Sequence, residues 1–468
     1  MEHILFLTGH LAKPALDRVL AGLDSTEGEQ AFTWATHDLG VQVAALMTAD
    51  MIRRRLPAPV NAQRIVVPGR CRGDVDALAQ HYGVPVQRGP EELKDLPQYF
   101  KRQAQAVDLS NFDVAIFAEI VDAPRLSVAA IVTRAHELAR DGANVIDLGC
   151  LPATPFEHLE DAVHALKAEG FAVSVDSQST DELLRGGRAG ADYLLSLSID
   201  TLWVADEVAS VPVLIPREPT DVDSLEQAIA AMQSRGKPFL ADPILDPIPF
   251  GFTASLVRYH ALRQRHPDVR IMMGVGNLTE LTEADTSGIN AMLFGVAAEL
   301  NISAVLMTQV SPHARRAVRE ADVARRIMHA AMQNQTLPKG LSGALATVHE
   351  RQPYTDTPVE IAATAAQVKD PNFRVQVSPL GLHVYNRDGE RIATDAMSLW
   401  PQLGLEADGG HAFYMGVELG KAELAYQLGK RYVQDQPLNW GVAVERAAEN
   451  LDAWCAPGAT RLKDSTAT

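Results

Sequence analysis

Residues 142–178, GANVIDLGCLPATPFEHLEDAVHALKAEGFAVSVDSQ, decide how the rest of the chain is read. The stretch runs strand, loop, helix, strand. Asn144–Leu148 is a short apolar run closing on Asp147, and Ala172–Val175 is another closing on Asp176. Between them Leu159, Ala162, Val163 and Leu166 fall on one face of a helix spanning Phe156–Glu169. Two strands pair in parallel only through a long crossover, so a parallel pair joined by a helix is the economical reading. Acids at the C-terminal ends of consecutive parallel strands converge at the mouth of a barrel or a sheet crevice.

Working outward, the same unit recurs between residues 109 and 335. Strands are expected at Val114–Ala118, Asn144–Leu148, Ala172–Val175 and Tyr193–Leu197, then at Val211–Ile215, Pro238–Ala241, Ile271–Val275 and Ser303–Met307. Helical patterns fill most of the gaps, as in Leu126–Arg140, Ser224–Arg235 and Ala254–Arg265. Eight β/α units in roughly 225 residues match the arithmetic of a (β/α)8 TIM barrel, which takes about 250. An eight-stranded doubly wound sheet is the alternative, but the count closes a barrel without stretching any loop.

The flanks read differently. Residues 1–108 carry a strand-turn-helix rhythm of their own: strands at His3–Leu7, Ala31–Ala35, Arg64–Val67 and Val84–Gln87, with helices through Leu20 and over Gly40–Arg55. That rhythm predicts a small Rossmann-like parallel α/β domain, although neither TGHLAKP nor PGRCRGD has a dinucleotide or P-loop spacing. Arg70 and Arg72 sit in a glycine turn, and His10 in another, where solvated turn residues are the ordinary reading. Residues 336–468 form an α+β module: short strands at Phe373–Val377, Leu382–Tyr385 and Arg391–Ala393, a hairpin turn at Asn386-Arg387-Asp388-Gly389, a long helix over Ala412–Gln434 and a last helix near Val442–Leu451.

Composition narrows the function classes. A chain of 468 residues with 47% hydrophobic residues supports two or three globular domains. No run approaches the roughly 18 apolar residues of a membrane span, and MEHILFLTGH lacks the basic region of a secretory signal. A net charge of −17 argues against nucleic-acid binding. Cys71, Cys150 and Cys455 are far apart and form neither a disulfide framework nor a CxxC pair. A cytoplasmic protein is expected, for which a homodimer would be unsurprising.

The chemistry should lie at the strand ends. Those ends and their loops carry Glu119, Asp122, Asp147, Asp176, Ser196, Ser198, Arg217, Asp242, Asp246, Asn277, Thr308, Gln309 and His313. Acids with Asn and Ser, and few bases, suit a ligand rich in N–H donors. A carboxylate accepts two parallel hydrogen bonds from an amidine-like ring edge, such as that of a pterin. Phosphosugar sites call for cationic clusters and zinc sites for histidines, and neither is present.

These motifs carry a resemblance. GANVIDLG and FAVSVDSQS resemble the second and third strands of the pterin-binding family of dihydropteroate synthases and methyltetrahydrofolate-type methyltransferases. PFLADPILDPIPFGF resembles the sixth-strand motif and IMMGVGNLTEL the seventh. The resemblance implies that Asp176 and Asp242 bind and orient the pterin, with Asp246 a less direct match for Asp242. It implies that Asn277 and Ser196 or Ser198 contact the other edge; Asp147 and Arg217, at their own strand ends, are expected to bind substrate as well. The whole chain, with TGHLAKP and PGRCRGD at one end and GGHAFYMGVELGKAELAYQLGKRYVQD at the other, resembles dihydropteroate synthase-related proteins of tetrahydromethanopterin-using archaea and methylotrophic bacteria.

Departures from the synthase pattern shape the expected activity. The first loop, AEIVDAPRLS, lacks the usual asparagines and offers Glu119 and Asp122 to magnesium instead. The second loop reads Cys150-Leu151-Pro152-Ala153-Thr154-Pro155 in place of Ser-Thr-Arg, and Gly276-Asn277-Leu278 stands where Ser-Arg-Lys is usual. The pterin cradle is retained while the p-aminobenzoate and diphosphate machinery is altered. The resemblance therefore implies a transferase that condenses dihydropterin-6-methyl diphosphate with a ribofuranosylaminobenzene phosphate in tetrahydromethanopterin biosynthesis. A pterin-dependent methyltransferase and a non-catalytic pterin carrier are the alternatives. His411 and Lys421, on the C-terminal helix pattern with Tyr414 and Lys430, are further expected substrate contacts, and if that face caps the barrel mouth Lys421 and Lys430 would neutralise a substrate phosphate.

Overall fold

The structure is a computed structural model and describes residues 2–23, 32–103, 108–445 and 450–452. The described residues fall into two compact units. One is drawn from Met1–Ala106, His349–Asn439 and Arg446–Thr468, the other from Val107–Val348 and Trp440–Glu445. No helix among the described residues is long and apolar enough to cross a membrane.

In the first unit, β1 (Glu2–Thr8), β2 (Phe32–Asp38), β3 (Arg64–Val67) and β4 (Val86–Arg88) form a parallel sheet of order β2-β1-β3-β4. Ile4 and Phe6 pack with Leu16 and Leu20 on one face, while Leu7, Ile65 and Val67 meet Met47, Ile52 and Leu78 on the other. The helix expected over Gly40–Arg55 is interrupted. A single turn at Ala44–Leu46 precedes a helix that starts at Ala49, because the Thr48 hydroxyl caps it by accepting the Met51 N–H.

In the barrel unit β5 (Ala115–Ile120), β6 (Val145–Gly149), β7 (Ala172–Asp176), β8 (Tyr193–Leu197), β9 (Val211–Leu214), β10 (Leu240–Ala241), β11 (Met272–Gly274) and β12 (Ala304–Met307) follow one another in parallel. Their order is β10-β9-β8-β7-β6-β5-β12-β11, and an Ala241–Ile271 bridge joins the two ends. The result is an eight-stranded TIM barrel with helices alternating along the chain, as expected.

Farther along the chain, β13 (Arg374–Ser378), β14 (Gly381–Asn386) and β15 (Gly389–Ala393) make a three-stranded antiparallel sheet in the first unit. Asn386 pairs with Gly389, whose φ of +113° suits a glycine. Helix Gly409–Leu428 packs on β13 and β14. It stops short of the expected Gln434, because Gly429 adopts a left-handed φ of 60° and sends its N–H back to the Ala425 and Tyr426 carbonyls. The helix expected near Val442–Leu451 lies partly outside the described residues. Within them Gly441–Ala443 forms one turn that belongs to the barrel unit, where the Val442 N–H bonds Ala344 O at 3.0 Å and Arg319 stands 3.8 Å from Glu445. Cys455 also lies outside the described residues.

Alternation along the strands divides the barrel into an outside and a lumen. Outward residues such as Ile116, Ile146, Val173 and Leu194 pack under the helices. Inward, Phe117, Val145, Leu195, Val213, Leu240, Met272 and Ala304 fill one another's space. Phe117 also meets Tyr193 edge to face at 4.9 Å. At the strand N-termini the fully buried Arg325 donates to the carbonyls of Val114 and Gly142, to Asn144 Oδ1 and to Asp322. That end is a brace, with its charge fully paired.

Candidate active site at the barrel mouth

Two residues beyond the apolar lumen layer, the same inward face turns acidic. Phe117 is followed by Glu119, Val145 by Asp147, and Leu240 by Asp242, while Ala172 leads through Ser174 to Asp176. Register places them side by side: Glu119 opposite Asp147, Asp147 opposite Ser174, and Gly149 opposite Asp176. Carboxylate oxygens of Glu119, Asp147 and Asp176 all lie within 4.8 Å of one another. A Cβ at Gly149 would meet Glu119 Oε1, so with any other residue there that carboxylate would have to shift.

The charged neighbours that act on Glu119 and Asp147 are acids of the same cluster. Among the described residues none of the three acids makes an ion pair with Lys, Arg or His. Asp147 is fully buried and accepts from Ser174 Oγ on Oδ1, while its Oδ2 has no hydrogen-bond partner among the described residues. Burial pushes Glu119 up to about 7, with the Asp176 charge adding to it. Burial likewise raises Asp176 to about 6. Asp147 is raised well above the carboxylate range, by burial first and by its two acidic neighbours second.

Across the barrel the acids are furnished with donors. Asp242 Oδ1 accepts from the Tyr259 hydroxyl at 2.5 Å and from the Ile244 N–H at 2.8 Å. Burial still raises Asp242 to about 6, against the lowering effect of these bonds and of Arg258. Asp246 is a brace. It pairs with Arg258 Nη2 at 2.8 Å and meets the Ser255 hydroxyl, while Arg258 also holds the carbonyls of Pro243 and Ile244. These bonds fix Ile244 at a φ of +65°, a conformation that costs a β-branched residue about 1–3 kcal/mol. Asn277 lies on the turn after β11 and donates its amide to Leu245 O at 2.7 Å, so it ties down the same loop.

The other expected residues have other neighbours. Asp122 is exposed, with Arg125 3.9 Å away, and does not join the Glu119 cluster. Arg217 is half-exposed in a two-pronged pair with Asp200. Ser196 lies within β8 beside its register shift, and Ser198 starts the following turn by donating its N–H to Thr201. His313 and Gln309 hold the loop after β12, through Thr279 O and through Asp141 and Val318. The Cys150 thiol is pushed far up by burial and by Glu182, which disfavours it as a nucleophile. His411 and Lys421 belong to the first unit. His411 is exposed and bonded to Asp408, and Lys421 pairs with Glu418 while donating to Gln436 O at 3.2 Å.

Sequence reading misses Tyr259 and Arg258. A signal exists for the first: Ser255, Tyr259 and Leu262 are the buried positions of one helix, and a buried tyrosine hydroxyl requires a partner. The same reading expects Asp147 and Asp176 to meet at the barrel mouth but pairs Glu119 with Asp122, although counting alternate residues from each strand start places Glu119 with the other two.

Comparison with known proteins gives three findings. Residues 2–91 match the model of a family of unknown function (DUF6513). The chain is 23% identical over 523 aligned residues to an uncharacterized protein of Methanocaldococcus jannaschii, covering 92% of this chain and 98% of that protein. Among solved structures it is similar to the Yersinia pestis dihydropteroate synthase with a pterine-sulfa conjugate, at 18% identity and a TM-score of 0.38, covering 48% of this chain and 95% of that one. It is similar also to the Xanthomonas albilineans dihydropteroate synthase in complex with 7,8-dihydropteroate, at 20% identity and a TM-score of 0.37, covering 49% of this chain and 96% of that one.

Proposed function

We propose that the barrel binds a pterin and acts as a dihydropteroate synthase-like transferase of tetrahydromethanopterin biosynthesis. It would join dihydropterin-6-methyl diphosphate to a ribofuranosylaminobenzene phosphate and release diphosphate. The observation that carries this reading is the pair of half-buried carboxylates Asp176 and Asp242, on inward positions of the third and sixth barrel strands. Asp242 has both of its donors on one oxygen, Oδ1, which suits Oδ2 to a ring N–H edge. Its anion is stabilised in place by Tyr259, so binding needs little reorganisation.

In this reading the protein's work is positioning. Asp242 and Asp176 hold the pterin, and the acceptor attacks the 6-methylene carbon as the C–O bond to diphosphate breaks. No covalent enzyme intermediate is required, and alignment of two bound reactants supplies much of the acceleration. Glu119 would sit near the departing group as part of the acidic rim, where magnesium would neutralise the diphosphate as it leaves.

The test is calorimetric titration with dihydropterin-6-methyl diphosphate and magnesium, followed by a diphosphate-release assay on adding the acceptor. Asp242→Asn should weaken pterin binding about tenfold to a hundredfold, the worth of a charge-assisted hydrogen bond pair. Binding without diphosphate release would replace the transferase by a pterin carrier. Binding indifferent to both Asp176→Asn and Asp242→Asn would end the pterin reading.

A further inference from the structure

We propose that Glu119, Asp147 and Asp176 form a site for one hard divalent cation, held by the protein without any help from a substrate phosphate. The inference goes beyond the pterin reading: it shares Asp176 and Glu119 with that reading but adds Asp147 and stands if no pterin binds.

Three features of the barrel mouth converge on it. Three carboxylate oxygens from three adjacent strands lie within 4.8 Å of one another. Opposed oxygens on a bound Ca2+ stand about 5 Å apart and on Mg2+ about 4 Å, so small side-chain shifts bring these oxygens to either ion. The second feature is Asp147 Oδ2, an oxygen of a fully buried side chain without a hydrogen-bond partner among the described residues. A buried acceptor is rarely left that way unless an ion, water or proton completes it. The third is Gly149, whose missing Cβ is the space Glu119 occupies, so the backbone makes room for a third acid where one fewer would relieve repulsion.

Ligand chemistry sets the class of ion. The set is all oxygen, with neither histidine nor thiolate in the cluster, which selects Mg2+, Mn2+ or Ca2+ over zinc or copper. Ser174 acts one layer out. By donating to Asp147 Oδ1 it fixes that carboxylate and leaves Oδ2 without a hydrogen-bond donor among the described residues, the usual role of a residue supporting a ligand. Asp122, which the sequence paired with Glu119, is replaced in this site by Asp147, a residue farther from the solvent.

The test uses the full-length protein stripped with chelator and titrated with Mn2+, read by the loss of the free-ion electron paramagnetic resonance signal. One Mn2+ per chain is expected, displaced by Mg2+ or Ca2+. Asp147→Asn and Glu119→Gln should each weaken it tenfold or more, while Asp206→Asn, an exposed residue paired with Lys237, should leave it unchanged. Asp147→Asn keeps the size of the buried side chain, so it should fold, and circular dichroism with a melting curve in chelator verifies that. No stoichiometric Mn2+ at millimolar concentration, or binding unmoved by both substitutions, would overturn the site and leave three acids sharing protons. Pterin titration in chelator, run beside it, separates failure of the cation site from failure of the pterin reading.

Discussion

The two halves of the barrel mouth use the same residue type at equivalent strand positions and treat it oppositely. On β10 and its loop, Asp242 and Asp246 are met by Tyr259, Arg258, Ser255 and a backbone N–H. On β5, β6 and β7, Glu119, Asp147 and Asp176 meet chiefly one another. The first half is a completed hydrogen-bond network that holds two anions in place. The second is a group of buried carboxyls that hold their protons tightly and ionise together only at a cost in stability until something positive arrives. Carboxylates at barrel strand ends are thus not one population, and their neighbours on the helices and adjacent strands decide which are braces and which are open to ligand.

The contrast is broken most sharply at Arg258. Arg258→Ala leaves Asp246 without its cation and frees the carbonyls of Pro243 and Ile244, and should cost about 3–5 kcal/mol in denaturant unfolding. A loss below about 1 kcal/mol would mean that this half is no more braced than the other. Tyr259→Phe tests the same network at one bond: about 1.5–3 kcal/mol of stability should go, and the midpoint for Asp242 ionisation should rise above 6 by carboxyl-resolved spectroscopy. On the open half, Gly149→Ala drives a Cβ into Glu119 and should cost about 1–3 kcal/mol. Unaltered Mn2+ binding by that variant would show that Glu119 can stand elsewhere.

The smallest effect has the opposite sign. A carboxyl group whose folded pKa is raised binds its proton more tightly in the folded state. Its contribution is full below the unfolded value near 4 and is lost as pH rises through the folded value, about 6 for Asp176 and about 7 for Glu119. In chelator, Asp147→Asn should therefore be more stable than the parent by about 1 kcal/mol at pH 7.5, with the gap closing toward pH 4.5. Melting curves across that range check it, and a variant less stable throughout would contradict the picture of mutual repulsion.

Much of this is legible in the sequence, and the limits have physical causes. The barrel is readable because period-2 runs alternating with period-3.6 runs leave a trace in composition at every turn. Each acid at the mouth is readable for the same reason. The meeting of Asp147 with Asp176 follows from their consecutive strands, but that Glu119 joins them depends on which residue of β5 stands opposite which of β6, and register is a tertiary choice. Asp122 looks like a natural partner of Glu119 because it is close in the chain, yet it lies past the strand end and faces Arg125. Helical periodicity overruns Gly429 because the residues beyond it, Lys430 to Gln434, keep a plausible helical pattern while the backbone has already reversed.

The short turn at Gly441–Ala443 carries a consequence for how the protein is made. Residues 440–445 belong to the barrel unit, yet the intervening 349–439 belong to the other. A nascent chain therefore exposes all eight barrel strands long before it can emit the strap that bonds Ala344 and reaches Arg319. The eight strands are all present by residue 307, whereas the contacts of 440–445 with Ala344 and Arg319 have to wait until that strap leaves the ribosome. A polypeptide cut after residue 348 would lack the Val442–Ala344 hydrogen bond and the Arg319–Glu445 pair. Domain dissection of this protein is better attempted by joining 440–445 back through a short linker than by simple truncation.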